Sequence, residues 1–319
     1  MRIIFLGTPD FSVATLQELI NSHHEVIAVV CQPDRPSGRG NKVIPGPVKK
    51  TAMANDIPVF QFEKIGRDGV DTLKKLKPDI MITVAYGQIL TQQIIDIPKY
   101  GIINVHASLL PKYRGASPIQ TALLMGETVT GITIMQTDIG LDTGDILSMQ
   151  EVNIDPDDTA ETLGRKLSAV GSKLLLRTLD EIAAGTVVRI KQNNSEATFT
   201  KKIKKHDCVI NWNKSARQIK CLIMGANPDP VAYSMINGQI LKIYTAQDLK
   251  LDLEGDYEVG EILPNSSVKN GVFVRCGSGV IKLGFVQLPG GKTMDAALLL
   301  NGRKLNVGDK FDFVVHLEG

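Results

Sequence analysis

The chain has 319 residues, 43% of them hydrophobic, and its 36 basic and 34 acidic residues leave a formal net charge of +2. That length predicts two domains and a substantial core in the first, and the composition supports a globular protein. No run approaches the roughly 20 apolar residues that span a bilayer, and the opening MRIIFLG gives way to Pro9 and Asp10, so it reads as a first strand and not a signal peptide.

Arg2 to Leu6, Val26 to Cys31, Ile80 to Val84 and Ile102 to Val105 are short runs rich in Ile and Val, separated by amphipathic stretches of helical length. The alternation predicts an α/β fold with a Rossmann-like, mostly parallel sheet. Ligands gather beyond the carboxyl ends of such strands, where Gly7, Pro33, Ala85 and His106 fall. GTPDFS after the first strand lacks the later glycines of a dinucleotide fingerprint, which disfavours a nicotinamide cofactor. Asp10 is expected to cap a helix from Phe11 to about Asn21.

The fourth run continues into a motif, GIINVHASLLPKYRG at 101–115. Side chains alternate along a strand, so Asn104 and His106 leave the same face. An amide donor beside an imidazole can hold a polarised carbonyl and manage a proton, as acyl transfer to an amine requires. Asp142, in GLDTGD, is the natural third member, a carboxylate that orients the histidine. Taken singly, each element also reads as backbone capping or an ordinary turn.

Strands at Thr130–Thr137 and Ile146–Val152 flank GLDTGD, and a long helix from about Thr159 to Ala184 ends at Gly185. Polar residues without periodicity then mark a boundary. We expect a first domain over 1–188, a basic linker over 189–205 and a second domain over 206–319. Its helix at Ser215–Met224 is followed by short β-like runs and by turns such as Asn237-Gly238. The strand number suits a small OB-like β-barrel.

Charge is unevenly distributed: 33–50 carries +4, 189–205 carries +5, and 206–319 is balanced. Concentrated positive segments on an acidic background suit a polyanion partner. Cys31, Cys208, Cys221 and Cys276 form no close pair, which argues against a disulfide framework or a zinc site and fits a reducing cytoplasm. No metal cluster is expected.

The run INVHASLLPKYRGASPIQ, with GTPDF at 7–11, QPDRPSGRG at 32–40 and GLDTGD, resembles the methionyl-tRNA formyltransferase family along nearly the whole chain. The resemblance implies the OB-like second domain and transfer of a formyl group from 10-formyltetrahydrofolate to the amino group of methionyl initiator tRNA, by direct attack through a tetrahedral intermediate; a cytoplasmic monomer is expected, although sequence does not fix the oligomeric state. It assigns catalysis to Asn104, His106 and Asp142, and folate binding to Ser108, Leu109, Leu110 and Pro111, with Ala85, Tyr86 and Gly87 completing the pocket. Arg39, assisted by Arg35 and Lys42, would meet the acceptor arm, and Lys201, Lys202, Lys204 and Lys205 would form a phosphate track. Ala107 stands where relatives generally have Gly, and Asp229 where a Trp is usual. Rival readings are an amino-sugar nucleotide formyltransferase and a folate-responsive RNA-binding protein without turnover.

Overall fold

A computed structural model of the chain describes residues 1–37, 42–249 and 255–312. The chain divides into two compact units, the first comprising Met1–Pro118, Val129–Asn153 and Gly164–Thr200, the second Ile119–Thr128, Ile154–Leu163 and Lys201–Gly319.

The first unit is built on seven strands: β1 (Arg2–Gly7), β2 (Glu25–Cys31), β3 (Val59–Gln61), β4 (Ile80–Val84), β5 (Ile102–His106), β6 (Val129–Gln136) and β7 (Ile146–Asn153). They lie in the order β7-β6-β5-β4-β1-β2-β3. All neighbours from β3 to β5 pair in parallel, whereas β6 runs antiparallel to both β5 and β7. Every residue of β4 is buried, as a central strand covered on both faces requires. Asp10 does not cap the following helix. It lies in a short 3-10 turn, Asp10–Ser12, and the α-helix runs Val13–Asn21 with Ser12 at its N-cap. The Ser12 hydroxyl is committed elsewhere, donating to the Val84 carbonyl at 2.6 Å.

The long helix spans Ala160–Ala184 and ends before Gly185, whose φ of +71° suits glycine. The stretch expected as a linker from 189 is structured as far as Thr200: Ile190 bridges Ile146, and Phe199–Thr200 pairs in parallel with Arg114–Gly115. Backbone pairing ties this polar segment to the first unit where side-chain periodicity gives no sign of it.

In the second unit the helix Ala216–Gly225 starts from a capping box in which the Ser215 side chain accepts from the Gln218 amide and Gln218 returns a bond to Ser215. The strands are antiparallel. Ala232–Ile236 pairs with Gln239–Ile243 across Asn237 and Gly238, both at positive φ (51° and 71°), the backbone of a two-residue primed hairpin turn. A second sheet joins Ala246–Leu249, Val280–Leu283 and Val272–Arg275. Among the described residues no helix is long and apolar enough to cross a membrane.

Trp212 anchors the second core. It is fully buried, stacks on Phe311 with ring centroids 4.6 Å apart, and donates its indole N–H to Ser234 Oγ at 2.9 Å. Trp212→Phe strands the buried Ser234 hydroxyl and leaves a void, so urea denaturation should give a loss of about 2–4 kcal/mol. A loss below about 0.5 kcal/mol would show that the indole N–H contributes nothing.

Candidate active site

Register builds the site. Thr83 lies opposite Asn104 across the β4–β5 pair, and Thr133 lies opposite His106 across β5–β6. The Thr83 hydroxyl is 3.0 Å from Asn104 Oδ1 and donates to it. That bond orients the half-buried amide so that Nδ2 keeps its hydrogens for a ligand, no acceptor for them occurring among the described residues. A polar group thus stands poised where β5 ends.

His106 is 5% exposed, and its Nε2 lies 3.0 Å from the Tyr113 carbonyl. A carbonyl only accepts, so Nε2 carries the proton and Nδ1 is the nitrogen left for chemistry. Nδ1 is 3.7 Å from Asp142 Oδ2, beyond hydrogen-bond range but close enough for a charged imidazolium to be stabilised. Asp142 is itself held, Oδ2 accepting the Gly115 amide at 2.8 Å from a backbone at φ +52°. Of the sequence-predicted trio, His106 and Asp142 therefore stand together without a direct hydrogen bond, and Asn104 lies on the same strand face as His106.

The loop after β5 is locked from below. Thr133 Oγ1 donates to the Ser108 carbonyl at 2.7 Å and accepts the Leu110 amide at 3.1 Å, while Ser108 Oγ donates to the Lys112 carbonyl at 2.6 Å. Leu109 needs Gly131 beneath it: a Cβ there would stand 2.4 Å from Leu109 Cδ2 and 2.3 Å from the Gln150 carbonyl. Ser108 and Leu110 are buried, Leu110 against Met135 and Ile146, so Leu109 and Pro111 are the side chains this loop presents. Ala85 and Gly87 are exposed, but the Tyr86 ring is packed in the core with Ile4, Leu6 and Ile65, and only its carbonyl engages the site's surroundings, accepting from Gln32 Nε2 at 3.0 Å. Burial pushes the Tyr86 phenol well above its ordinary value.

Sequence reasoning missed Arg114 and Gln192. Arg114 is 2% exposed and donates through Nε and Nη2 to Gln192 Oε1 at 3.1 and 2.7 Å, and through Nη2 to Asn194 Oδ1 at 2.8 Å. Gln192 Nε2 passes the restraint on, donating to the carbonyls of Asp142 (2.9 Å) and Gly144 (2.7 Å). The pattern is invisible from spacing, because Gln192 lies in a stretch with no periodicity.

Of the residues expected to meet nucleic acid, Arg39 lies outside the described residues, and only the backbone of Lys42 is described, paired with Ser37. Arg35 is exposed and borders a cleft of about 180 Å³ with Thr8, Gln32, Asp34, Ile44 and Lys49. Lys201, Lys202, Lys204 and Lys205 are exposed, Lys205 lying 5.8 Å from the Tyr233 ring centroid. A larger cavity of about 320 Å³ belongs to the second unit and touches none of the expected site residues.

Residues 1–179 match the family model described as formyl transferase, and 202–304 the one described as formyl transferase, C-terminal domain. A protein named methionyl-tRNA formyltransferase from Geobacter sulfurreducens is 45% identical over 97% of this chain and 96% of its own length. One of the same name from Agathobacter rectalis is 46% identical over 98% and 99%. Among solved structures, WlaRD, described as a sugar 3N-formyl transferase in the presence of dTDP and 5-N-formyl-THF, superposes with a TM-score of 0.67 at 21% identity, over 92% of this chain and 99% of that one. The chain belongs to the formyl transferase family, in its methionyl-tRNA formyltransferase branch.

The cleft wall is held by an ion pair. Lys49 Nζ donates to Asp34 Oδ2 and, at 2.8 Å, to Gln61 Oε1, and the Lys49 hydrogen bond holds the Asp34 carboxyl below its ordinary value. A depressed carboxylate pKa stabilises the fold above the unfolded value of about 3.9 and the benefit is lost as pH falls through the folded value. Asp34→Asn should therefore cost up to about 1 kcal/mol at pH 7, with the difference between wild type and variant shrinking progressively as pH falls below the unfolded value of about 3.9; a constant difference throughout the acid range contradicts the ion-pair account.

Proposed function

We propose that this chain transfers a formyl group from 10-formyltetrahydrofolate to the α-amino group of methionine carried by initiator tRNA. The observation that carries the reading is the Asn104 amide, oriented by Thr83 with Nδ2 uncommitted, on the same strand face as His106. The names of near-full-length relatives support the acceptor, and the 5-N-formyl-THF named with WlaRD supports a folate donor.

In this reading the formyl donor, a substrate, lies against Leu109, Pro111 and the backbone of Ala85–Gly87, with its carbonyl oxygen toward Asn104. Asn104 Nδ2 donates to that oxygen as the neutral amine attacks the carbon and negative charge grows on oxygen. His106 Nδ1 takes the proton shed by the amine, its Nε2–H staying on the Tyr113 carbonyl. Asp142 stabilises the resulting imidazolium from 3.7 Å until the proton passes to the departing folate nitrogen. Arg114, through Gln192, keeps the Asp142 loop in place. All these residues come from one chain, so a monomer suffices, and a cytoplasmic location matches the substrates. Arg35, Arg39 and Lys42 meet the acceptor arm, and Lys201, Lys202, Lys204 and Lys205 track the phosphates.

The test presents 10-formyltetrahydrofolate with charged initiator tRNA, uncharged tRNA or an amino-sugar nucleotide. Formylation confined to the charged tRNA is expected; formylation of the sugar alone overturns the acceptor, and no transfer to any acceptor overturns the enzymatic reading. In the same system, Lys201→Gln with Lys202→Gln should flatten the dependence of log K on log salt by about two units of slope. An unchanged slope rejects the track.

A further inference from the structure

A second cluster of side chains lies at the other end of the first unit's sheet. His23 and His24 sit between the helix Val13–Asn21 and the start of β2, and Asp180 reaches them from the helix Ala160–Ala184. His23 Nε2 is 3.2 Å and His24 Nε2 is 3.6 Å from the same oxygen, Asp180 Oδ1, and each of the three residues brings a potential ligand atom within 4.8 Å of those of the other two. The two rings are tilted at 49° with centroids 4.1 Å apart, so they converge on the carboxylate and are not stacked flat.

His24 is the telling member. Its side chain is 1% exposed, yet Nε2, turned toward Asp180, has no hydrogen-bond partner. Leaving a buried imidazole nitrogen unsatisfied is costly, and a ligand that accepts its lone pair removes the cost. Zinc bonds of about 2.0–2.1 Å to nitrogen and oxygen imply tetrahedral edges of about 3.3 Å, close to the two nitrogen–oxygen separations observed. A metal on Nε2 leaves the ring proton on Nδ1, the tautomer in which a neutral imidazole binds a metal.

We propose that His23, His24 and Asp180 bind a divalent transition metal of the zinc class, with solvent completing the coordination. Two imidazoles and one carboxylate suit a borderline-soft ion, whereas magnesium and calcium prefer all-oxygen shells. The ion ties the turn that feeds β2 to the far half of the long helix. Asn104 and His106 stand at the opposite, carboxyl end of the parallel strands, so the site stabilises the first unit and does not enter formyl transfer. Sequence alone predicts no metal because the third ligand lies far downstream and two adjacent histidines make no recognisable spacing.

The test titrates zinc into chelator-treated full-length protein, with magnesium for comparison, following calorimetric uptake and thermal unfolding. One zinc per chain and a rise of several degrees in Tm are expected, with no response to magnesium. His23→Gln and Asp180→Asn change exposed side chains; each should weaken zinc binding at least tenfold while the metal-free Tm and the formyl-transfer rate stay at the parent values. Absence of saturable zinc uptake, uptake unchanged in both variants, or uptake abolished only by Cys221→Ser overturns the proposal.

Discussion

The site depends on the register of one strand. β5 is held between β4, parallel, and β6, antiparallel, and that double pairing sets Thr83 beside Asn104 and Thr133 beside His106. A slip of one residue on either side would turn Asn104 and His106 into the opposite helical layer. The buried apolar residues of the opposite face of β5, Ile103 and Val105, resist such a slip, since each would have to trade a core position for the face that Asn104 and His106 occupy. Burial energy in the sheet is thereby converted into the position of two polar side chains.

Beyond the strand, restraint comes from neutral groups. The Asp142 carboxylate is held by a backbone amide, and the buried Arg114 guanidinium by two side-chain amides that in turn brace the backbone around Asp142. Neutral partners satisfy the hydrogen bonds of a charged group without cancelling its charge. The arrangement leaves the carboxylate directed at His106, the residue that carries the proton in the proposed mechanism.

Much of this was legible in the sequence. The Ile- and Val-rich runs announced β1, β2, β4 and β5, because central strands covered on both faces are built mainly from branched apolar residues. The period-two spacing of Asn104 and His106 followed from the same geometry. β3 escaped notice because its three residues are all half-buried, which leaves no sharp pattern, and Asp10 looked like a cap because the Val84 carbonyl that claims Ser12 is remote in sequence. Gln192, Tyr113 and Thr83 were illegible for a related reason: each makes a long-range contact to one of the candidate catalytic residues, and such contacts have no local signature. Tyr86 was ambiguous until its ring was seen packed among Ile4, Leu6 and Ile65.

The central claim is that Asn104 is a donor oriented before the substrate arrives and used chiefly as charge develops on the carbonyl oxygen. Its most direct measurement is single-turnover formyl transfer by Asn104→Ala alongside equilibrium binding of the folate. The account predicts a rate lowered on the order of a hundredfold or more, about 3 kcal/mol, with folate affinity nearly unchanged. Collapse of folate binding with the single-turnover rate preserved would contradict it.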